Sequence, residues 1–121
     1  MKIKYYFSKE FATSDNHEIE TLRTHYYRAR KEQAMEVVCD ILKNDKAKVR
    51  SIDEDRGEII FDHMDYSGTA TVTATSFSEM AIDFNVLTYN VLPTAKGKKI
   101  IENIYKLIDK KLDFKGLSLY K

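Results

Sequence analysis

Thr69-Ala70-Thr71-Val72-Thr73-Ala74-Thr75-Ser76-Phe77-Ser78-Glu79-Met80-Ala81-Ile82-Asp83-Phe84-Asn85-Val86-Leu87 is the stretch that decides the fold class. Its period is two. Thr69, Thr71, Thr73 and Thr75 fall on one side and Ala70, Val72 and Ala74 on the other, the pattern of a half-buried strand. In the next run Met80, Ile82, Phe84 and Val86 make the apolar side, and Ala81, Asp83, Asn85 and Leu87 its reverse. Both apolar sides meet only if the loop between the strands holds an odd number of residues, because a slip of one turns a whole strand over. A loop Ser76-Phe77-Ser78 meets that condition and pairs Val72 with Ile82 and Thr71 with Asp83.

Upstream, Ala47 to Asp53 and Glu58 to His63 flank the polar segment Glu54-Asp55-Arg56-Gly57. Gly57 can take positive φ at the close of a hairpin loop, and a loop of all four residues sets Ile52 opposite Ile59. On either side of these strands the period lengthens. Ala34, Val37, Val38, Ile41 and Leu42 predict a helix from Arg28 to Lys43, ended by Asn44-Asp45. Leu92-Pro93 breaks the preceding strand, Thr94 suits an N-cap, and Ile100, Ile101, Ile104, Tyr105, Ile108 and Leu112 predict a second helix from Lys96 to Leu112. Leu22 to Tyr27 and Lys2 to Phe7 look extended, and Phe114 to Tyr120 is apolar enough to dock or to add an edge strand. The expected architecture is therefore α+β: a two-layer fold in which a mainly antiparallel sheet of four to six strands carries two helices on one face. It forms a single domain over residues 1–121, with 1–18 an extension or edge strand and 19–121 the core.

Composition agrees with one globular domain. A chain of 121 residues buries roughly two-thirds of its unfolded surface. Its one Pro and four Gly leave no linker to propose. The sole cysteine, Cys39, has no partner for an intrachain disulfide and sits among apolar neighbours, which suits a reducing compartment. With neither a continuous apolar leader nor a bilayer-length segment in the sequence, the expected location is the cytoplasm and no membrane partner is expected. Charge is partitioned: residues 1–50 carry eleven basic and eight acidic side chains, 51–93 one and eight, and 94–121 eight and three. Such a separation either lines solvated helix faces or marks opposed surfaces that self-associate head to tail.

The order Leu22-Arg23-Thr24-His25-Tyr26-Tyr27, helix, Ile52-Asp53-Glu54-Asp55-Arg56-Gly57-Glu58-Ile59, strand pair and closing Lys-rich helix resembles that of small uncharacterised bacterial cytosolic proteins, over roughly residues 19 to 120. Its helix and four-strand layout is similar to the TATA-binding-protein-like and helix-grip groups, many of whose members are noncatalytic. The resemblance implies no activity, so it assigns no residue a role.

The candidate chemistry is sparse. Asp62-His63-Met64-Asp65 offers part of a metal site, to be completed by His25 or Glu79, but its spacing matches no established ligand pattern. Cys39 in mid-helix reads as a core or boundary residue, and Ser76 and Ser78 lack a nucleophile elbow. Gly57, Gly68, Gly97 and Gly116 stand singly, so neither a P-loop nor a dinucleotide fingerprint is written in the chain, and no cofactor is expected. Lys98, Lys99, Lys110 and Lys111 with Tyr105, Phe114 and Tyr120 invite nucleic acid, against which stand the acidic sheet and a pI near 7.8.

Six aromatics, Tyr5, Tyr6, Phe7, Phe11, Tyr26 and Tyr27, crowd the first 27 residues, and aromatics are favoured at interfaces. The leading expectation is thus a noncatalytic binding or scaffold domain, paired with a second copy near these residues. The Thr69, Thr71, Thr73, Asp83, Asn85 and Leu87 face is expected to be solvated. The second expectation is a small-molecule binder or small enzyme with a pocket between sheet and helices, lined by Phe61, Phe84 and Tyr105 with His63 at its rim. Nucleic-acid binding through the Lys-rich helix is the third.

Overall fold

A computed structural model of the protein describes residues 10–89 and 96–117. Glu10–Ala12 (β1) leads through a 3-10 turn at Glu20–Leu22 to His25–Arg28 (β2) and the helix Lys31–Asn44 (α1). Lys48–Asp53 (β3), Glu58–Asp62 (β4), Tyr66–Ser76 (β5) and Glu79–Thr88 (β6) follow as an antiparallel meander, and Lys96–Lys111 (α2) and Asp113–Leu117 (β7) complete the described chain. The sheet has seven strands in the order β3-β4-β5-β6-β2-β7, with β1 also paired to β6. The architecture is the α+β fold expected, but with seven strands rather than four to six. β7 is the edge strand that the apolar tail was able to add, and β1, only three residues long, gives periodicity little length in which to register.

The meander keeps the expected register. Ile52 faces Ile59, and Val72 faces Ile82 with Thr71 beside Asp83. Gly57 closes the β3–β4 loop with φ 70°, and a Cβ there would come within 2.0 Å of the Val72 carbonyl oxygen, so both its conformation and its surroundings require glycine. The β5–β6 loop differs from expectation. Ser76 pairs with Glu79, leaving only Phe77-Ser78 in the loop, and the register shifts between Ala74 and Ser76. A bulge at Thr75 therefore supplies the odd residue that the expected loop would have contained, and both apolar sides still face the helices.

Helix α1 contacts β3, β4 and β5, while α2 contacts β6, β7 and β1. The core between the layers holds Val38, Leu42, Ile59, Phe61, Val72, Ile82, Phe84, Ile101, Ile104 and Ile108, all buried. Within residues 10–18, β1 joins the sheet, and Phe11 is buried against the first turn of α2, where a Cβ on Gly97 would meet its ring at 2.8 Å. The apparent strand Lys2 to Phe7, the Thr94 cap and the end of the tail lie outside the described residues.

Ile104 is buried at the centre of α2 and Lys106 is exposed two residues on. Ile104→Ala is expected to cost about 2–5 kcal/mol, and Lys106→Ala less than about 0.5 kcal/mol, in urea unfolding. Equal losses for the two variants would contradict this packing.

Candidate functional site

Strand β2 alternates like any other, and its alternation places chemistry under α2. His25 and Tyr27 lie opposite Ile82 and Met80 on the helix side, whereas Tyr26 lies opposite Ala81 on the other face. On α2, Glu102, Tyr105, Lys106 and Asp109 recur at spacings of three and four and so share one flank of the helix. With Thr21, and with Phe114 and Leu117 from β7, they enclose a groove of about 400 Å³ around His25.

His25 is 7% exposed. Its ring stacks on Tyr105 at 3.6 Å between centroids and 5° between planes, and Phe114 covers it from 5.0 Å. Asp109 Oδ1 lies 3.0 Å from His25 Nδ1 and accepts the Tyr27 hydroxyl at 2.6 Å. A carboxylate only accepts, so Nδ1 carries the proton and Nε2 is left as an acceptor in the neutral ring. Nε2 has no hydrogen-bond partner among the described residues. Among the described residues no buried side-chain nitrogen or oxygen is left unpaired, so this atom reaches the solvent of the groove. Burial, with the hydrogen bond to Asp109 second, pushes the Tyr27 phenol far above its ordinary range and keeps it a donor.

The rim is electrostatically balanced. Glu102 accepts from Lys98 at 2.6 Å and from the Thr21 hydroxyl. Burial alone would raise its carboxyl, but these donors outweigh that and hold it below the ordinary carboxylate range. Lys106 is exposed on the same helix.

Behind His25, at the far end of Tyr105, lies a second polar group. Thr13 and Thr24 both donate to Asp83 Oδ1 at 2.6 Å, and the Tyr105 hydroxyl donates to the Ile82 carbonyl at 2.7 Å. Burial is the largest influence on Asp83 and raises its carboxyl above the ordinary 3.8, despite both threonine donors. This face of the sheet is therefore not uniformly solvated: Asn85 is exposed, but Asp83 is half-buried.

The other expected sites are dispersed. Phe11, Tyr26 and Tyr27 are buried within the single chain, so they serve packing and are not available to a second copy; Tyr5, Tyr6 and Phe7 lie outside the described residues. The expected pocket divides in two. Phe84 packs edge-on against Tyr105 at 5.2 Å, while Phe61 packs against Tyr66, on which His63 is stacked at 4.4 Å. Phe61 and Phe84 are core residues that line neither groove; Tyr105, though buried, does wall a groove, and the histidine it meets there is His25, not His63. His63 Nδ1 accepts from the Asp65 backbone, and among the described residues no three His, Cys, Asp or Glu side chains gather in a metal-holding group. Cys39 is buried in α1, where burial pushes its thiol up against the opposing pull of Lys43. Ser76 and Ser78 are exposed at the β5–β6 hairpin. No helix among the described residues is long and apolar enough to cross a membrane.

No protein-family profile matches the chain, and no curated protein is significantly similar to it in sequence.

Two outcomes test this geometry. In long-range ¹H–¹⁵N spectra, neutral His25 should show the Nδ1–H tautomer, and Asp109→Ala should shift it toward Nε2–H; an Nε2–H ring in the wild type would contradict the arrangement. Because Asp83 has a raised folded pKa, its contribution to stability is fully present below the unfolded value of 3.8 and is lost as pH rises through the folded value. The stability of wild type relative to Asp83→Asn should thus fall as pH rises from acid toward neutral, and a rise in that difference would mean the carboxylate is favoured by the fold.

Proposed function

We propose that the protein is a noncatalytic binding domain whose ligand seats in the groove between α2 and β7, against the free edge of His25. The observation that carries this reading is the leftover Nε2. One ring nitrogen is locked by Asp109 and Tyr27, Tyr105 is stacked on the ring with Phe114 tilted beside it, and the other nitrogen is offered to the groove. A histidine held this rigidly loses little entropy when it accepts a hydrogen bond, which favours affinity.

The absence of an activatable nucleophile supports binding over catalysis. The lining hydroxyls are those of Thr21 and Tyr105, and both donate elsewhere, to Glu102 and to the Ile82 carbonyl. His25 therefore has no hydroxyl beside it to activate among the lining residues. The walls favour a small molecule with a hydroxyl or N–H donor for Nε2 and a flat apolar part for Phe114 and Leu117, and the groove volume lies within the range of small-molecule sites. The buried single thiol supports a reducing, cytoplasmic setting.

The test is a ¹H–¹⁵N titration with a panel of small phenols, indoles and aliphatic alcohols. Binders should shift the Thr21, His25 and Phe114 amides, and His25→Phe, which keeps the stacked ring but removes Nε2, should weaken them about tenfold or more, the worth of about 1.4 kcal/mol. Undiminished binding to His25→Phe, or a panel without effect at these amides, would refute the reading.

A further inference from the structure

A second groove, of about 520 Å³, runs between α1 and the β3–β4 hairpin at the other end of the sheet. Its floor is apolar, made by Met35, Cys39 and Ile52, and Ile52 is 49% exposed although it stands opposite the buried Ile59. Ile52 stays that exposed on the core side of an edge strand because the groove opens between it and α1. Around this floor stand five carboxylates, those of Glu32, Glu36 and Asp40 on α1 and Glu54 and Asp55 on the hairpin. None of the five has a hydrogen bond or ion pair through its carboxylate among the described residues. Lys31 spans one end of the groove, donating to the Asp55 backbone carbonyl, and Lys43 stands at the other.

The complement of this surface is on the same molecule. The solvent side of α2 presents Lys99, Leu107, Lys110 and Lys111, all exposed, with Leu107 at 44%. These lysines have no ion-pair partner among the described residues, in contrast to Lys96, Lys98 and Lys115, which pair with Asp65, Glu102 and Glu79. The two stripes also match in length. Glu32 to Lys43 and Lys99 to Lys111 extend about 17 and about 18 Å at a rise of about 1.5 Å per residue. Within one chain they do not meet: α1 packs beside α2, but the groove is lined only by α1 and the β3–β4 hairpin and includes no residue of α2.

We propose that the acidic groove of one copy receives the solvent face of α2 from a second copy. Leu107 covers Ile52 and Met35, and the lysines flank it opposite the carboxylates. An apolar contact framed by opposite charges gives both attraction and register. The contact is heterologous, a groove on one copy and a helix on the next, so each bound pair still has one free groove and one free helix and growth continues to a ring or an open chain. It does not depend on the ligand reading of the His25 groove.

The experiment is sedimentation velocity on the full chain with two double variants, each checked for folding by circular dichroism. Glu36→Lys with Asp40→Lys blocks the groove, and Leu107→Asp with Lys110→Glu blocks the helix face. Wild type is expected to self-associate with rising concentration, at least tenfold more tightly at low than at high salt. Each variant alone should remain monomeric, whereas an equimolar mixture should form a one-to-one dimer and nothing larger, since only one intact groove meets one intact helix. A monomeric wild type at low salt, self-association by either variant, or a mixture that stays monomeric would overturn the proposal. So would a wild-type chain that stays monomeric yet binds a Lys-rich amphipathic peptide, which would assign the groove to a foreign helix.

Discussion

Strand β6 must satisfy two neighbours along one edge, and the join between them organises the rest of the molecule. β2 pairs with its first half, up to Ile82, and β1 with its second, from Asn85, so Asp83 and Phe84 lie at a seam between the two ladders. Thr13 fills it. Its backbone N–H donates to the Phe84 carbonyl at 2.8 Å, its hydroxyl accepts from the Phe84 N–H at 2.9 Å, and that hydroxyl donates to Asp83. Unpaired buried backbone groups are costly, so a small side chain that both donates and accepts is the natural plug. Thr24 approaches Asp83 from the β2 side, and Tyr105 reaches down from α2 to the Ile82 carbonyl. One strand end, one strand start and one helix are thereby tied to a single point on β6.

That tie accounts for the fate of the aromatic N-terminal residues. With β1 and β2 both seated on β6, Phe11 and Tyr27 fall beneath α2 and become core, although they look in sequence like surplus apolar surface. It also places His25 one residue beyond Thr24, directly under Tyr105, with its outer edge toward the opening that α2 and β7 leave. The groove and the seam are the two ends of the same Tyr105 ring. Its hydroxyl meets the seam and its face carries the histidine, and burial holds that phenol well above its ordinary range.

Charge follows the same division of the sheet. The half under α1 carries unpaired carboxylates around its edge groove, and the half under α2 carries the lysines. Where opposite charges are close in the folded chain they pair, as Lys98 does with Glu102 and Lys115 with Glu79. The unpaired carboxylates of the groove and the unpaired lysines Lys99, Lys110 and Lys111 of α2 are left over. Exposed pairs contribute little to stability, so the segregation bears on encounters more than on the fold itself.

The two helices, the β3–β4 loop with its positive-φ Gly57, and the pairing of Val72 with Ile82 are legible in the chain, because each depends on a local period or on parity between adjacent strands. Even the misjudged β5–β6 loop kept its parity, since parity is what burial of Val72 and Ile82 enforces; a bulge at Thr75 met it instead of a third loop residue. The seam and the groove, by contrast, arise from long-range packing. Thr13 and Asp83 are 70 residues apart, and His25 and Asp109 are 84 apart. Neither pair leaves a periodic trace, for one long-range hydrogen bond needs one suitable residue at each end. In the sequence His25 is a histidine in an extended run, and nothing local marks Asp109. Their meeting is set by how α2 crosses β2, which is a property of the packed core and not of any segment within it.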